Sequence, residues 1–129
     1  MAYTGAADAP DRENRPMAKT LFEKIIDREI PATFVHEDDQ CVVIKDVNPQ
    51  APFHVLVIPR QPMPRLCDAV PGDQALLGHL LLVANKVATD AGYGEAYRLN
   101  INNGAAAGQS VFHLHVHVIA GRPFKWPPG

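Results

Sequence analysis

Three histidines stand at alternate positions in QSVFHLHVHVIAG, Gln109 to Gly121: His113, His115 and His117. Side chains alternate across a strand, so an extended run puts the three imidazoles on one face and Leu114, Val116 and Val118 on the other. The apolar set must pack on a core. The histidine face then reads as a site, because a solvated strand face more often carries Thr, Lys or Glu.

Two chemistries suit such a face. Imidazole is a common zinc ligand, and two histidines at i and i+2 can converge on one ion. With a rise of roughly 3.3 Å per residue, however, the outer pair sit about 13 Å apart at Cα, too far to ligate one ion together without a sharp bend. Two of them with His54 remain a possible ligand set. The second chemistry is nucleophilic attack on phosphorus, in which a neutral imidazole attacks, neighbouring donors hold the phosphoryl oxygens, and water later cleaves the labile N–P bond. An unperturbed pKa of about 6.5 makes imidazole competent near neutrality. Clustered imidazoles resist charging together and titrate as a coupled set. The preceding loop, NNGAAAGQS, adds an anion site: Gly104 and Gly108 let the backbone approach a ligand, and Ser110 offers a hydroxyl as a proton donor.

The elements that must position these residues follow from patterning. In TLFEKIIDREIP, Thr20 and Glu23 have capping-box spacing, Leu21, Phe22, Ile25 and Ile26 make an apolar stripe, and Pro31 prevents continuation, which predicts a short helix. ATFVHEDD and CVVIKD read as strands around an acidic turn, and PFHVLVIP as a third strand. Proline punctuates RQPMPRLCDAVPG, after which Leu76, Leu77, Leu80, Val83, Ala84 and Val87 recur at helical spacing until Gly92. YRLNIN is a fourth strand and SVFHLHVHVIAG a fifth, while RPFKWPPG has no regular pattern. Strands, one long helix and strands again predict an α+β domain with an antiparallel sheet. Residues 1–16 have little to bury and read as a flexible tail before a domain over 17–129.

Composition bounds the function. A chain of 129 residues, 47% hydrophobic and 20% charged, is the size and type of one soluble domain. A formal charge of −2 argues against a broad surface for nucleic acid. Two cysteines, Cys41 and Cys67, make neither a disulfide framework nor a C-x-x-C motif, which suits a reducing cytoplasm. No apolar run approaches the ~18 residues of a membrane span, and no signal peptide is evident.

QSVFHLHVH, with NNGAAAG before it and WPPG at the C-terminus, resembles the histidine triad (HIT) superfamily, specifically its Hint branch. The likeness extends through LFEKIIDREIPA, the acidic turn with Cys41, DVNPQAPFHVLVIP and LLGHLLLV. It implies a five-stranded antiparallel sheet with one short and one long helix, paired into a homodimer with a ten-stranded sheet. It also implies hydrolysis of purine nucleoside phosphoramidates and adenylates through a nucleotidyl-histidine, without a metal or other cofactor. His115 is then the nucleophile, His113 supports its orientation, and His117 and His54 lie close to the phosphate. Asn102, Gly108, Gln109 and Ser110 take the phosphate-side positions, with Ser110 near the leaving group. Asp46 holds the ribose, Ile44 and Val47 lie beside the base, and Trp126 reaches toward the partner subunit's site. Ala107 stands where glycine is common and Asn103 where an acidic residue is common. A neighbouring branch hydrolyses dinucleoside polyphosphates, and a nucleotide- or zinc-binding interaction module is the non-catalytic alternative.

Several of these residues have simpler readings without the resemblance. Asp46 initiates the turn before Asn48 and Pro49. His54 is a hydrogen-bonded core histidine, Trp126 packs at a terminus, and Ile44 and Val47 are ordinary core and loop residues. His36 and His79 have no motif around them and read as structural.

Overall fold

In the computed structural model, which describes residues 18–129, Thr20 starts the first helix as its spacing predicts. Thr20 Oγ1 accepts the Glu23 amide at 3.0 Å and Glu23 Oε1 accepts the Thr20 amide at 2.9 Å. The reciprocal pair satisfies donors that the first turn leaves open. This helix, α1 (Leu21–Ile26), buries Phe22 and Ile25. It ends before Pro31 can act, because Arg28 turns the chain with a left-handed φ of 65°. The tail and domain boundary expected near residue 16 lie outside the described residues.

Five strands follow the predicted order: β1 (Phe34–Glu37), β2 (Cys41–Lys45), β3 (Phe53–Pro59), β4 (Tyr97–Asn100) and β5 (Val116–Ala120), with α2 (Gln74–Asp90) between β3 and β4. They form one sheet in the order β1-β2-β3-β5-β4, antiparallel throughout. Alternation divides the core into two layers. Val43, Val55, Val57, Leu114, Val116 and Val118 pack against Leu80, Val83, Ala84 and Val87 of α2. On the opposite face Val42, Ile44, Leu56 and Ile58 pack against Phe22 and Ile25 of α1. β3 pairs Leu56 with His117 and His54 with Ile119, so His54 and His117 are diagonal neighbours on the α1 side.

The fifth strand is shorter than the predicted run from Ser110. Its ladder begins at Val116, opposite Val57, and residues 111–115 leave the sheet. The cause lies in β3's continuation: beyond Pro59, Pro62 and Pro64 lack the amide donors a ladder needs. The Leu114 amide instead donates to the Met63 carbonyl at 2.6 Å. The predicted alternation persists here without a ladder, since Leu114 joins the α2 layer while His113 and His115 contact Phe22 of α1. Short 3-10 turns at Leu66–Asp68, Pro71–Asp73 and Ala105–Ala107 are features the apolar pattern did not signal. Among the described residues no helix is long and apolar enough to cross a membrane.

Candidate active site

His115 sits at the end of the irregular stretch that leads into β5, nine-tenths buried. Its Nδ1 lies 2.8 Å from the His113 carbonyl oxygen. A carbonyl only accepts, so Nδ1 carries the proton and Nε2 presents a lone pair. The Phe22 ring stands edge-on to the imidazole, with centroids 4.9 Å apart and planes at 80°. Burial, followed by weaker opposing effects of the His113 carbonyl and Asp46, lowers the His115 pKa below the ordinary histidine value. Its resting form near neutrality is therefore the nucleophilic one.

His113 is fully buried and cannot attack anything. Its Nε2 donates to the Pro59 carbonyl at 2.7 Å, which leaves Nδ1 to accept the Thr20 hydroxyl at 2.8 Å. Thr20 thereby links the α1 cap to the triad. Both His113 nitrogens are occupied, so this residue acts as a backbone and ring support for His115. Thr20→Val removes the cap and strands a buried imidazole nitrogen; losing the two together should destabilise the chain by roughly 2–4 kcal/mol. Urea denaturation checks this, and a change under about 0.5 kcal/mol would contradict the shared role.

His54 and His117 form a relay with a fixed direction. The Gln50 amide donates to His54 Nδ1 at 3.0 Å, so the His54 proton sits on Nε2. That nitrogen is 2.9 Å from His117 Nδ1 and 3.3 Å from Asp46 Oδ2. His117 then accepts at Nδ1 and carries its own proton on Nε2. Burial, then the neighbouring His115 and His54, pushes the His117 pKa down to about 4, against a smaller upward pull from Asp46. Burial lowers His54 and His113 as well. All four imidazoles are neutral near pH 7, as expected for clustered rings sharing low-dielectric surroundings.

A cavity of about 440 Å³ opens over His115 and His117, lined by Ile44, Asp46, Val47, Asn102, Gly108 and Ser110 among others. Leu21, Phe22 and Ile25 of α1 form its apolar wall, and Ser110 and Gly108 approach from the loop. Gly108 is left-handed (φ 97°), and Gly104 has φ 93° with ψ 157°, a combination essentially restricted to glycine. The loop shape therefore depends on both glycines. Ile44 is buried in the cavity floor, and Val47 is 99% exposed at its rim. Asp46 makes the turn that residue type alone suggested, since its Oδ1 accepts the Asn48 amide at 2.8 Å. Its other oxygen faces His54, so one carboxylate serves both positions.

Four of the predicted site residues stand outside this lining: His113 and His54, which act through His115 and His117, and Gln109 and Trp126. The Gln109 side chain is buried and turned inward, donating to the Pro64 and Val111 carbonyls and accepting the Gly104 amide. It braces the loop. Trp126 is 85% exposed and lines no described part of the cavity. Asn103 accepts the Cys67 amide at 2.8 Å, a task an acidic residue would perform equally. Thr20, Phe22 and Gln50 belong to the site's support without having been predicted for it. The Thr20–Glu23 spacing was visible as a cap, but its bond to a residue 93 positions away has no local signal.

A family model described as the HIT domain matches residues 27–124. The chain belongs to the HIT domain family. An uncharacterised HIT-like protein of Synechocystis is 64% identical over 110 residues, covering 85% of this chain and 96% of its own length. The crystal structure of a HIT family hydrolase from Legionella pneumophila superposes with a TM-score of 0.84 at 42% identity, over 86% of this chain and all of that one. A histidine triad nucleotide-binding protein from Candida albicans superposes with a TM-score of 0.72 at 30% identity, over 84% of this chain and 83% of that one. The HIT family match spans both the triad stretch and the His54 strand.

Proposed function

We propose that this HIT protein is a hydrolase of the Hint type that releases AMP or GMP from amine or acyl conjugates through a nucleotide carried on His115. The observation that supports this most strongly is the His113 carbonyl on His115 Nδ1, which leaves a lone pair on Nε2 beside a roomy cavity. In the first step Nε2 attacks phosphorus, the bond from phosphorus to the leaving nitrogen breaks, and that nitrogen takes a proton as it departs. In the second step water attacks the phosphorus, the N–P bond breaks, and Nε2 recovers its lone pair. The His117 Nε2–H is the donor for a phosphoryl oxygen, with the Gly108 and Ser110 side of the loop and Asn102 completing the phosphate subsite. Asp46 takes the ribose, and Ile44 and Val47 the base. The names of the Legionella hydrolase and the Candida nucleotide-binding protein agree with the coarse part of this reading.

Ser110 is the proton donor to the leaving amine. Amines depart poorly unless protonated, whereas acyl phosphates and fluoride need little such help. Ser110→Ala should slow amine substrates by roughly 10- to 100-fold and leave good leaving groups nearly unaffected. Measuring kcat/KM for both classes, with folding checked by thermal melt, decides this. Equal losses would make Ser110 a loop residue only.

A dinucleoside polyphosphate hydrolase is favoured by one feature. A second cavity of about 470 Å³ shares His54, His117 and Asn102 with the site and is rimmed by Arg98, Arg122 and Lys125, groups suited to additional phosphates. Comparing turnover of adenosine phosphoramidate with that of diadenosine polyphosphate separates the two readings. The zinc-binding module has a feature of its own, since ligand atoms of Asp46, His54 and His117 lie within 4.8 Å of one another. Zinc retained by untagged protein and lost in His54→Asn, together with negligible turnover, would select it.

The reading includes a homodimer. Leu81 and Leu82 on α2 are 47% and 70% exposed, and exposed Trp126 lies in the C-terminal segment that the family resemblance extends to a partner. Sedimentation at micromolar concentration should give twice the 14.1 kDa of the chain. A fully active monomer would contradict it.

A further inference from the structure

The side chains around the β1–β2 turn make a cluster remote from the triad's chemistry. His36 of β1, Cys41 at the start of β2 and His79 of α2 each reach Asp38 in the turn. Asp38 Oδ2 lies 2.8 Å from His36 Nε2, 2.8 Å from His79 Nε2 and 3.5 Å from Cys41 Sγ. Ligand atoms of His36, Asp38 and Cys41 all fall within 4.8 Å of one another.

We propose that His36, Asp38, Cys41 and His79 bind one zinc-like divalent ion, which ties the β1–β2 hairpin to α2. Two imidazoles, one thiolate and one carboxylate are a donor set suited to a borderline ion in tetrahedral geometry. Four ligands about 2.0–2.3 Å from a common centre stand roughly 3.3–3.8 Å from each other. The present spacings about Asp38 are at or just below that range, whereas His79 stands outside the close group of His36, Asp38 and Cys41, so an ion enters as Asp38 draws back roughly 0.5–1 Å and the His79 side chain closes on it. Asp38 Oδ1 stays anchored by the Gln40 and Cys41 amides, both at 2.8 Å, which keeps the carboxylate aimed at the site.

Charge and access also fit. The carboxylate and a thiolate together balance a divalent ion, avoiding an uncompensated charge against the core. Cys41 is buried at the floor, while the side chains of His36, Asp38 and His79 are 19%, 25% and 28% exposed, giving an ion entry from solvent. Without the ion, burial and then Asp38 push the Cys41 thiol up to about 12, so it rests protonated. On binding, the S–H proton leaves for solvent as the metal–sulfur bond forms. The His36 and His79 protons move from Nε2 to Nδ1 with no change of charge. Arg60, whose Nε donates to the Asp38 carbonyl at 2.8 Å, opposes the ion only as a neighbouring cation.

The test uses the full chain, expressed without a histidine tag, stripped of metal and titrated with Co²⁺ and then Zn²⁺. One equivalent of cobalt should give the visible bands of a tetrahedral site together with a thiolate charge-transfer band. Zinc should displace it and raise Tm. Cys41→Ser should abolish the charge-transfer band, His79→Gln should weaken binding roughly 10-fold or more, and His54→Asn should leave the spectrum intact. No thiolate band, or cobalt bands that survive Cys41→Ser but vanish in His54→Asn, would overturn the assignment. Should Cys41→Ser fail to fold, unchanged cobalt affinity in His79→Gln overturns it alone.

Discussion

His115→Ala should lower kcat/KM for an adenosine phosphoramidate by about 10,000-fold or more while nucleotide affinity changes little. Attack depends on one atom, Nε2, whose lone pair is set by the His113 carbonyl 2.8 Å from Nδ1. Binding depends on the rest of the cavity, which the substitution leaves standing. Losses of this order are what removal of a nucleophile costs where no other group can replace it. His113 cannot substitute, because both its nitrogens are engaged, and His117 directs a proton rather than a lone pair from Nε2. Alanine also removes the nearer of the two edge-on partners of Phe22, so a thermal melt must accompany the kinetics. Wild-type-like turnover by a folded His115→Ala protein would remove His115 from the mechanism.

The second large effect belongs to His117. Removing one aligned donor from a developing phosphoryl charge costs roughly 100- to 1,000-fold in kcat. His117→Ala should show that loss for amine and acyl leaving groups alike, in contrast to the selective effect at Ser110. Its direction depends on two earlier contacts, the Gln50 amide on His54 Nδ1 and His54 Nε2 on His117 Nδ1. His54→Ala should therefore reduce turnover as well, since it frees His117 to adopt the tautomer with its proton on the wrong nitrogen. Steady-state kcat with both substrate classes measures this. A loss confined to amines would transfer the proton-donor role from Ser110 to His117.

Most of the fold was legible because it rests on local rules. The Thr20–Glu23 cap, the apolar repeat of α2 and the alternation in β3 each appear where their patterns place them. The alternation around His113, His115 and His117 was legible too, but the ladder was not. Pattern shows which way side chains point, whereas ladder length depends on a partner strand that ends at Pro59.

The site was legible in its residue types and less so in its connections. His113, His115 and His117 announce themselves by spacing, and His54 joins them through the β3–β5 register. The direction of each proton was not legible, because it is set by Pro59, Thr20 and Gln50, residues whose own sequence context signals turns and caps. His36 and His79 read as structural in isolation. They meet on Asp38 only because α2 folds back over the β1–β2 turn, a contact 41 residues apart for His79. Gln109 lies beside the phosphate loop in sequence, yet its amide is consumed by three internal bonds, which no spacing rule reveals.

The central claim, a covalent nucleotide on His115, is tested most directly by quenching wild-type protein during turnover of an adenosine phosphoramidate and mapping the adduct by peptide mass spectrometry. The account predicts an adenylyl group on the peptide that contains the triad, localised to His115 and missing from His115→Ala. Turnover with no adduct under single-turnover conditions, or an adduct localised to His113 or His117, would contradict it.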